Sequence, residues 1–199
     1  MMSSALYQNR SGQVLSDADR LRQLFQTCDI PAMLSLLDAA TARTTLCCVN
    51  PTSKLFDGLT GHLDQASGTL LSIGSGSGLF ECLLAYRFPS LSVIGVDVAP
   101  VDVFLGDGFR LVREGSCPVV LNVSVLLAVY LRRPSILISY LEWFPDVHTI
   151  ILLGPRSEDP LADHDVAGAL QAWGSVVAFI EDGIAPWDLF QVVKKHQDH

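Results

Sequence analysis

Between Thr69 and Pro100 the chain reads TLLSIGSGSGLFECLLAYRFPSLSVIGVDVAP, and this stretch restricts the fold more than any other. Leu70, Leu71 and Ile73 form an apolar, strand-like run. It enters a turn with glycine at 74, 76 and 78, and a helical pattern follows over about 78–87. A second apolar run, about 92–97, ends in Asp97. Glycine lets a backbone turn sharply and approach a ligand with no Cβ in the way. A helix that starts at such a turn presents free N–H groups and a partial positive charge. A carboxylate at the tip of the following strand is placed to accept hydrogen bonds from two ribose hydroxyls. Ser75 and Ser77 contribute backbone N–H groups to the same turn. Together these parts point to a ligand that contains a nucleoside.

The rest of the chain alternates in the same way. Ser16 to Asp19 reads as a helix start, with Leu21, Leu24 and Phe25 at helical spacing behind it. A second helix fits 32–42 after a break at Asp29-Ile-Pro31, and a third fits 54–65 after the turn at Asn50-Pro51. Beyond Asp97, Ala99-Pro100 leads almost directly into Val101–Leu105, which leaves no room for a helix before the third strand. That strand is expected to be short or irregular, within the segment 101–112 that holds the turn-like Gly106-Asp107-Gly108. A strand at about 123–129, a helix at 134–144, a buried strand at 149–153 and a helix at 163–173 follow. Strands at 175–180 and 189–194 have a short connection, so an antiparallel pair at one edge is expected. The fold class is therefore α/β: a Rossmann-like three-layer sandwich with a mostly parallel sheet and N-terminal helices. The 199 residues make one domain, with a helical segment at 14–66 and a cofactor-binding core at 67–195. Residues 1 to about 13 are polar and are expected to be mobile.

Composition narrows the partners. The formal net charge of −8 and the sequence pI near 4.9 oppose phosphate backbones, and no basic patch with interleaved aromatics is present. A small-molecule substrate is favoured and nucleic acid is not expected. Apolar residues reach 49% and charged residues only 17%, which leaves room for a homo-oligomer. Five cysteines, odd in number and without a C-x-x-C pair, read as free thiols in a reducing, cytoplasmic setting. The N-terminus lacks the apolar core of a signal peptide. The uncharged run from Gly115 to Leu131 is interrupted by Pro118 and Asn122. It reads as a loop feeding a buried strand rather than a membrane span. No histidine stands at metal-ligand spacing, so no metal is expected.

On these residues the chain resembles the class I S-adenosylmethionine-dependent methyltransferases. The likeness spans about residues 50 to 195. It rests on G-x-G-x-G at Gly74, Gly76 and Gly78, on Asp97 as the ribose-binding acid, on helices ahead of the first strand that many members use as a lid, and on the terminal strand pair. Leu79 stands where a dinucleotide-binding loop would place its third glycine, which weakens the alternative of an NAD-dependent oxidoreductase. The resemblance implies S-adenosylmethionine as cofactor. It implies binding by Ser72, Gly74, Ser75, Gly76, Gly78, Asp97 and Val98, with Asp107 as a candidate for the adenine amino group. Lys54, with the hydroxyl of Ser53 beside it, is a candidate for the cofactor carboxylate. The implied reaction is in-line methyl transfer to oxygen or nitrogen of a small acceptor, a step that needs a base only if the acceptor must lose a proton.

There are two departures from the family pattern. Many members carry an acid two positions before the first glycine, where it holds the cofactor's amino group; here that residue is Ser72. Glu81, one turn into the following helix, is a candidate to offset it, against the alternative of a plain surface glutamate. The second departure is the missing helix after Asp97. For catalysis the candidates are His62, in the segment that would close over the cofactor, and Tyr130, which follows the fourth strand with Arg132 and Arg133. Pro155 and Arg156, after the fifth strand, are expected to face the same cleft. The departures also support a second alternative, a non-catalytic interaction protein on the same fold.

Overall fold

Side-chain caps open the three N-terminal helices. The computed structural model describes residues 15–64 and 66–197; the polar residues through 13 and His199 lie outside the described residues. In α1 (Asp17–Gln26) the Ser16 hydroxyl accepts from the Asp19 N–H. In α2 (Ile30–Ala39) the Asp29 carboxylate accepts from the Ala32 N–H. In α3 (Ser53–Leu63) the Thr52 hydroxyl accepts from the Leu55 N–H. Such acceptors satisfy N–H groups that a helix leaves unpaired in its first turn. The second helix begins earlier than the sequence pattern suggests. Pro31 does not break it, because a proline in the first turn gives up an N–H that has no partner anyway.

The alternating core follows as β1 (Gly68–Ile73), α4 (Leu79–Arg87), β2 (Leu91–Asp97), β3 (Phe109–Leu111), β4 (Val123–Val129), α5 (Ile136–Trp143), β5 (Thr149–Pro155), α6 (His164–Trp173), β6 (Gly174–Phe179) and β7 (Asp188–Lys195). The seven strands lie in the order β3-β2-β1-β4-β5-β7-β6. The first five are parallel, and β7 runs antiparallel to both β5 and β6. Strand side chains alternate between the two faces. Leu70, Val125, Leu127, Ile151 and Leu153 pack with residues of α1 to α4 on one side. Leu71, Leu126, Ala128, Ile150 and Leu152 pack with Leu137 of α5 and Val166 and Leu170 of α6 on the other. Leu21, Met33, Leu37, Leu55 and Leu59 of the first three helices are buried in the same cluster as α4.

The connection from β2 to β3 contains no α-helix. Val101–Leu105 is irregular, a 3₁₀ turn covers Gly106–Gly108, and β3 has three residues. The strand thus begins later than Val101–Leu105. Asp102 accepts from the N–H groups of Leu105 and Gly106, which curls the chain before it can extend. The segment is tied to the glycine turn by the N–H groups of Val103 and Phe104, which donate to the Ser77 carbonyl. Phe104 is buried, with its ring edge-on to Phe25 at 5.0 Å. In the run 115–131, Val119 and Leu121 are exposed on a loop that feeds the buried β4. No helix among the described residues is long and apolar enough to cross a membrane.

This order places β1 and β4 side by side with their connections leaving in opposite directions. A crevice forms at the carboxyl ends of the strands at such a point, where parallel α/β sheets bind ligands.

Candidate functional site

The glycine turn sits at the mouth of that crevice. Gly74, Gly76 and Gly78 have φ of +74°, +55° and +70°, values that side chains rarely tolerate. The N–H groups of Gly74 and Ser75 donate to the Val96 carbonyl and lock the turn to β2. The Asp97 carboxylate accepts from the Gly76 N–H at 3.0 Å and from the Ala99 N–H at 3.1 Å. Each oxygen keeps a further lone pair for a ligand hydroxyl. A Cβ at Gly74 or Gly76 would meet nothing within 4 Å, whereas one at Gly78 would lie 2.7 Å from Asp102 Oδ1 and 2.8 Å from Leu105 Cγ. The first two glycines therefore face open space and the third faces packed protein.

Two cavities flank the turn and share Cys48, Gly74 and Val129 in their walls. The larger, about 510 Å³, lies beside Asp97 and Val98 and reaches Arg113, Arg132, Tyr140 and Trp143. The smaller, about 250 Å³, lies between the turn and the loop from Arg43 to Cys48, with Glu81 in its wall. Arg133 pairs with Glu114 at the rim of the larger one, linking the segment after β3 to the one after β4.

Ser72 is fully buried and donates to Glu81 Oε1 at 2.6 Å. Glu81 is 2% exposed, and its Oε2 has no hydrogen-bond partner among the described residues. Burial pushes its carboxyl up to about 7, opposed by the Ser72 hydrogen bond and reinforced by Asp102 and Asp97. Ser75 Oγ, in the same wall, is likewise buried without a partner. Glu81 is thus a wall group of the smaller cavity and not a surface glutamate.

Tyr130 is in the left-handed region, with φ of +53°, at the end of β4. Tyr130 lines the larger cavity, but its hydroxyl is engaged. It donates to the buried Asp188 carboxylate and accepts from Arg43 Nη1 at 3.2 Å, and the Arg43 guanidinium lies 5.8 Å from the ring centroid. Burial and Asp188 push the phenol up to about 12, against the opposing pull of Arg43. Tyr130 therefore stays protonated near neutral pH and joins the loop at Arg43 to β7.

Most of the other expected residues are placed elsewhere. His62 is in the last turn of α3, where its carbonyl accepts from Lys194 Nζ at 3.2 Å. Lys194 pairs with Thr149 at the start of β5, so His62 lies at the end of the sheet opposite the glycine turn. Burial and the nearby Lys194 charge both lower its pKa. Helix α3 runs antiparallel to β1, so its end points away from the site. Lys54 is exposed on the first turn of α3 and lines neither cavity, and the Ser53 hydroxyl donates to Asp38. Asp107 is in the 3₁₀ turn ahead of β3, not after it, and also lines neither cavity. Arg156 donates to the Pro186 carbonyl at 3.1 Å. Val98 is exposed and lines the larger cavity. The Arg43–Cys48 loop carries no periodic pattern that would have marked it as a cavity wall.

No protein-family model matches the chain, and no curated protein sequence matches it. Among solved structures 408 chains match. A methyltransferase from Pyrococcus furiosus superposes with a TM-score of 0.55 at 17% identity, over 92% of this chain and 100% of that one. A SAM-dependent methyltransferase from Aquifex aeolicus does so with a TM-score of 0.52 at 16% identity, over 83% of this chain and 98% of that one. A dimethyladenosine transferase from Plasmodium falciparum matches at a TM-score of 0.49 and 11% identity, over 71% of this chain, which spans 61% of that protein. At these identities the first two establish the fold alone, a Rossmann-like α/β sandwich shared with those two methyltransferases.

Proposed function

We propose that the chain transfers a methyl group from S-adenosylmethionine to oxygen or nitrogen of a small-molecule acceptor, by in-line displacement. One observation carries this reading: two cavities meet at a glycine turn, one edged by the Asp97 carboxylate and the other by a buried carboxylate with an unpaired oxygen. A nucleoside suits the first and a charged tail the second. The cofactor's sulfonium supplies a methyl group that is already activated. The chain's own residues are left with alignment and the exclusion of water. Asp97 has lone pairs for ribose hydroxyls, and the turn brings backbone to the cavities without side chains at Gly74 and Gly76. Val129 and Cys48, common to both walls, border the place where the reacting centre would lie. The net charge of −8 supports a small acceptor over nucleic acid.

Titration calorimetry with S-adenosylmethionine, S-adenosylhomocysteine and NAD tests the reading. Both sulfur ligands are expected to bind and NAD to bind weakly or not at all; binding of NAD alone would refute it. One observation favours a rival, a non-catalytic protein that keeps the cofactor site. Among the described residues no histidine lines either cavity, and the Tyr130 hydroxyl is already bonded on both sides. Methyl transfer from radiolabelled cofactor to a panel of small phenols, amines and carboxylic acids separates the two. Tight binding with no labelled product across the panel would favour the rival.

A further inference from the structure

We propose that Glu81 holds the ammonium of an α-amino-acid ligand end in the smaller cavity, in place of the acid missing at Ser72, and that this binding expels a proton. The proposal rests on the S-adenosylmethionine reading above. The geometry is specific. Glu81 Oε1 accepts from Ser72, while Oε2 is buried, with no partner among the described residues, in the wall of a cavity of about 250 Å³. A buried carboxylate oxygen with no donor is costly, and a ligand donor relieves that cost. The same cavity has Arg43 in its wall. One carboxylate and one guanidinium about a single cavity match the two charges of an amino-acid zwitterion. Ser72 then acts as a support: it fixes one oxygen of Glu81 and leaves the other for the ligand.

The proton follows from the groups around Glu81. Burial is the largest influence and lifts the carboxyl to about 7; Ser72 and the Glu81 N–H lower it, and Asp102 and Asp97 raise it. The neighbouring thiols of Cys47 and Cys82 are pushed up to about 12 and about 11, so both stay neutral where Glu81 titrates. Without ligand, Glu81 is largely protonated below pH 7. An ammonium favours the ionised form, so binding below that pH must release the proton.

The test is calorimetry at pH 6 and pH 8, in two buffers of different ionisation enthalpy. The probes are S-adenosylhomocysteine and 5′-methylthioadenosine, which lacks the amino-acid end. S-adenosylhomocysteine is expected to bind about tenfold more tightly at pH 8, because the ionised fraction of Glu81 rises by about that factor. Proton release should approach one per site at pH 6 and fall toward zero at pH 8. Methylthioadenosine should show neither effect. Glu81→Gln keeps a partner for Ser72, and should weaken S-adenosylhomocysteine more than tenfold, abolish its pH dependence and leave methylthioadenosine unchanged. Wild-type binding of S-adenosylhomocysteine without proton release or pH dependence would overturn the proposal. So would an unaltered Glu81→Gln affinity. If neither nucleoside binds the wild type, the cofactor reading falls with it. If the variant unfolds, the wild-type proton count decides.

Discussion

Gly76 and Gly78 share a backbone conformation but differ in surroundings. Both have positive φ, so any side chain is strained by about 1 to 2 kcal/mol. A methyl at 76 meets nothing within 4 Å, while one at 78 runs into Asp102 and Leu105. Gly76→Ala should therefore cost little more than the backbone strain, yet weaken S-adenosylhomocysteine binding severalfold by filling space at the crevice mouth. Gly78→Ala adds the clash and should lose about 3 kcal/mol in chemical denaturation. Urea melts and calorimetry on the two variants check the contrast. Equal losses of stability would mean that the turn has no open side. The pattern G-x-G-x-G announced the turn, but not which glycine faces the ligand, because that depends on Asp102 and Leu105 from beyond β2.

At the scale of elements, the segment 98–108 takes the place of a helix. Its one deep anchor is Phe104, buried against Phe25 of α1, and its backbone tie is to Ser77 in the glycine turn. Phe104→Ala should cost about 3 to 4 kcal/mol by the cavity it leaves. It should also weaken S-adenosylhomocysteine binding, although Phe104 lines neither cavity. A variant destabilised to that degree with unchanged affinity would show that the segment does not hold the turn. The absence of a helix here was legible because Pro100 follows Asp97 so closely. The position of β3 was not, since three residues carry no periodicity. Long alternating strands such as β4 and β5 were legible, because burial on both faces leaves an unbroken apolar run. His62 falls away from the site for a directional reason: a helix that leads into a strand ends beside that strand's start, far from its tip. The Arg43–Cys48 wall was invisible because an irregular loop leaves no pattern to read.

Over the whole molecule, the buried carboxyl that serves the ligand works against the ligand-free fold. Glu81 titrates near 7 when folded, against 4.5 as its ordinary value. Between those values the folded chain binds more protons than the unfolded one, so stability falls as pH rises through that window and is level above it. His62 and His148 act in the opposite sense. Both are lowered from 6.5, chiefly by burial and then by Lys194, so the stability they favour is complete above 6.5 and is lost as pH falls. The ion pairs of Asp19 with Arg22 and Glu114 with Arg133 are exposed and screened by salt, and add little. Glu81→Gln isolates the carboxyl because it leaves both histidines in place. Going from pH 5.5 to pH 8, ligand-free wild type should lose about 2 kcal/mol relative to this variant. For a chain of this size that is a relative fall of about 4 to 8 °C in melting midpoint. Saturating S-adenosylhomocysteine should offset that relative loss at pH 8, since the ionised carboxylate then has its partner. Parallel melting curves for the two proteins at every pH, with and without ligand, would mean that Glu81 is already ionised and satisfied in the free protein.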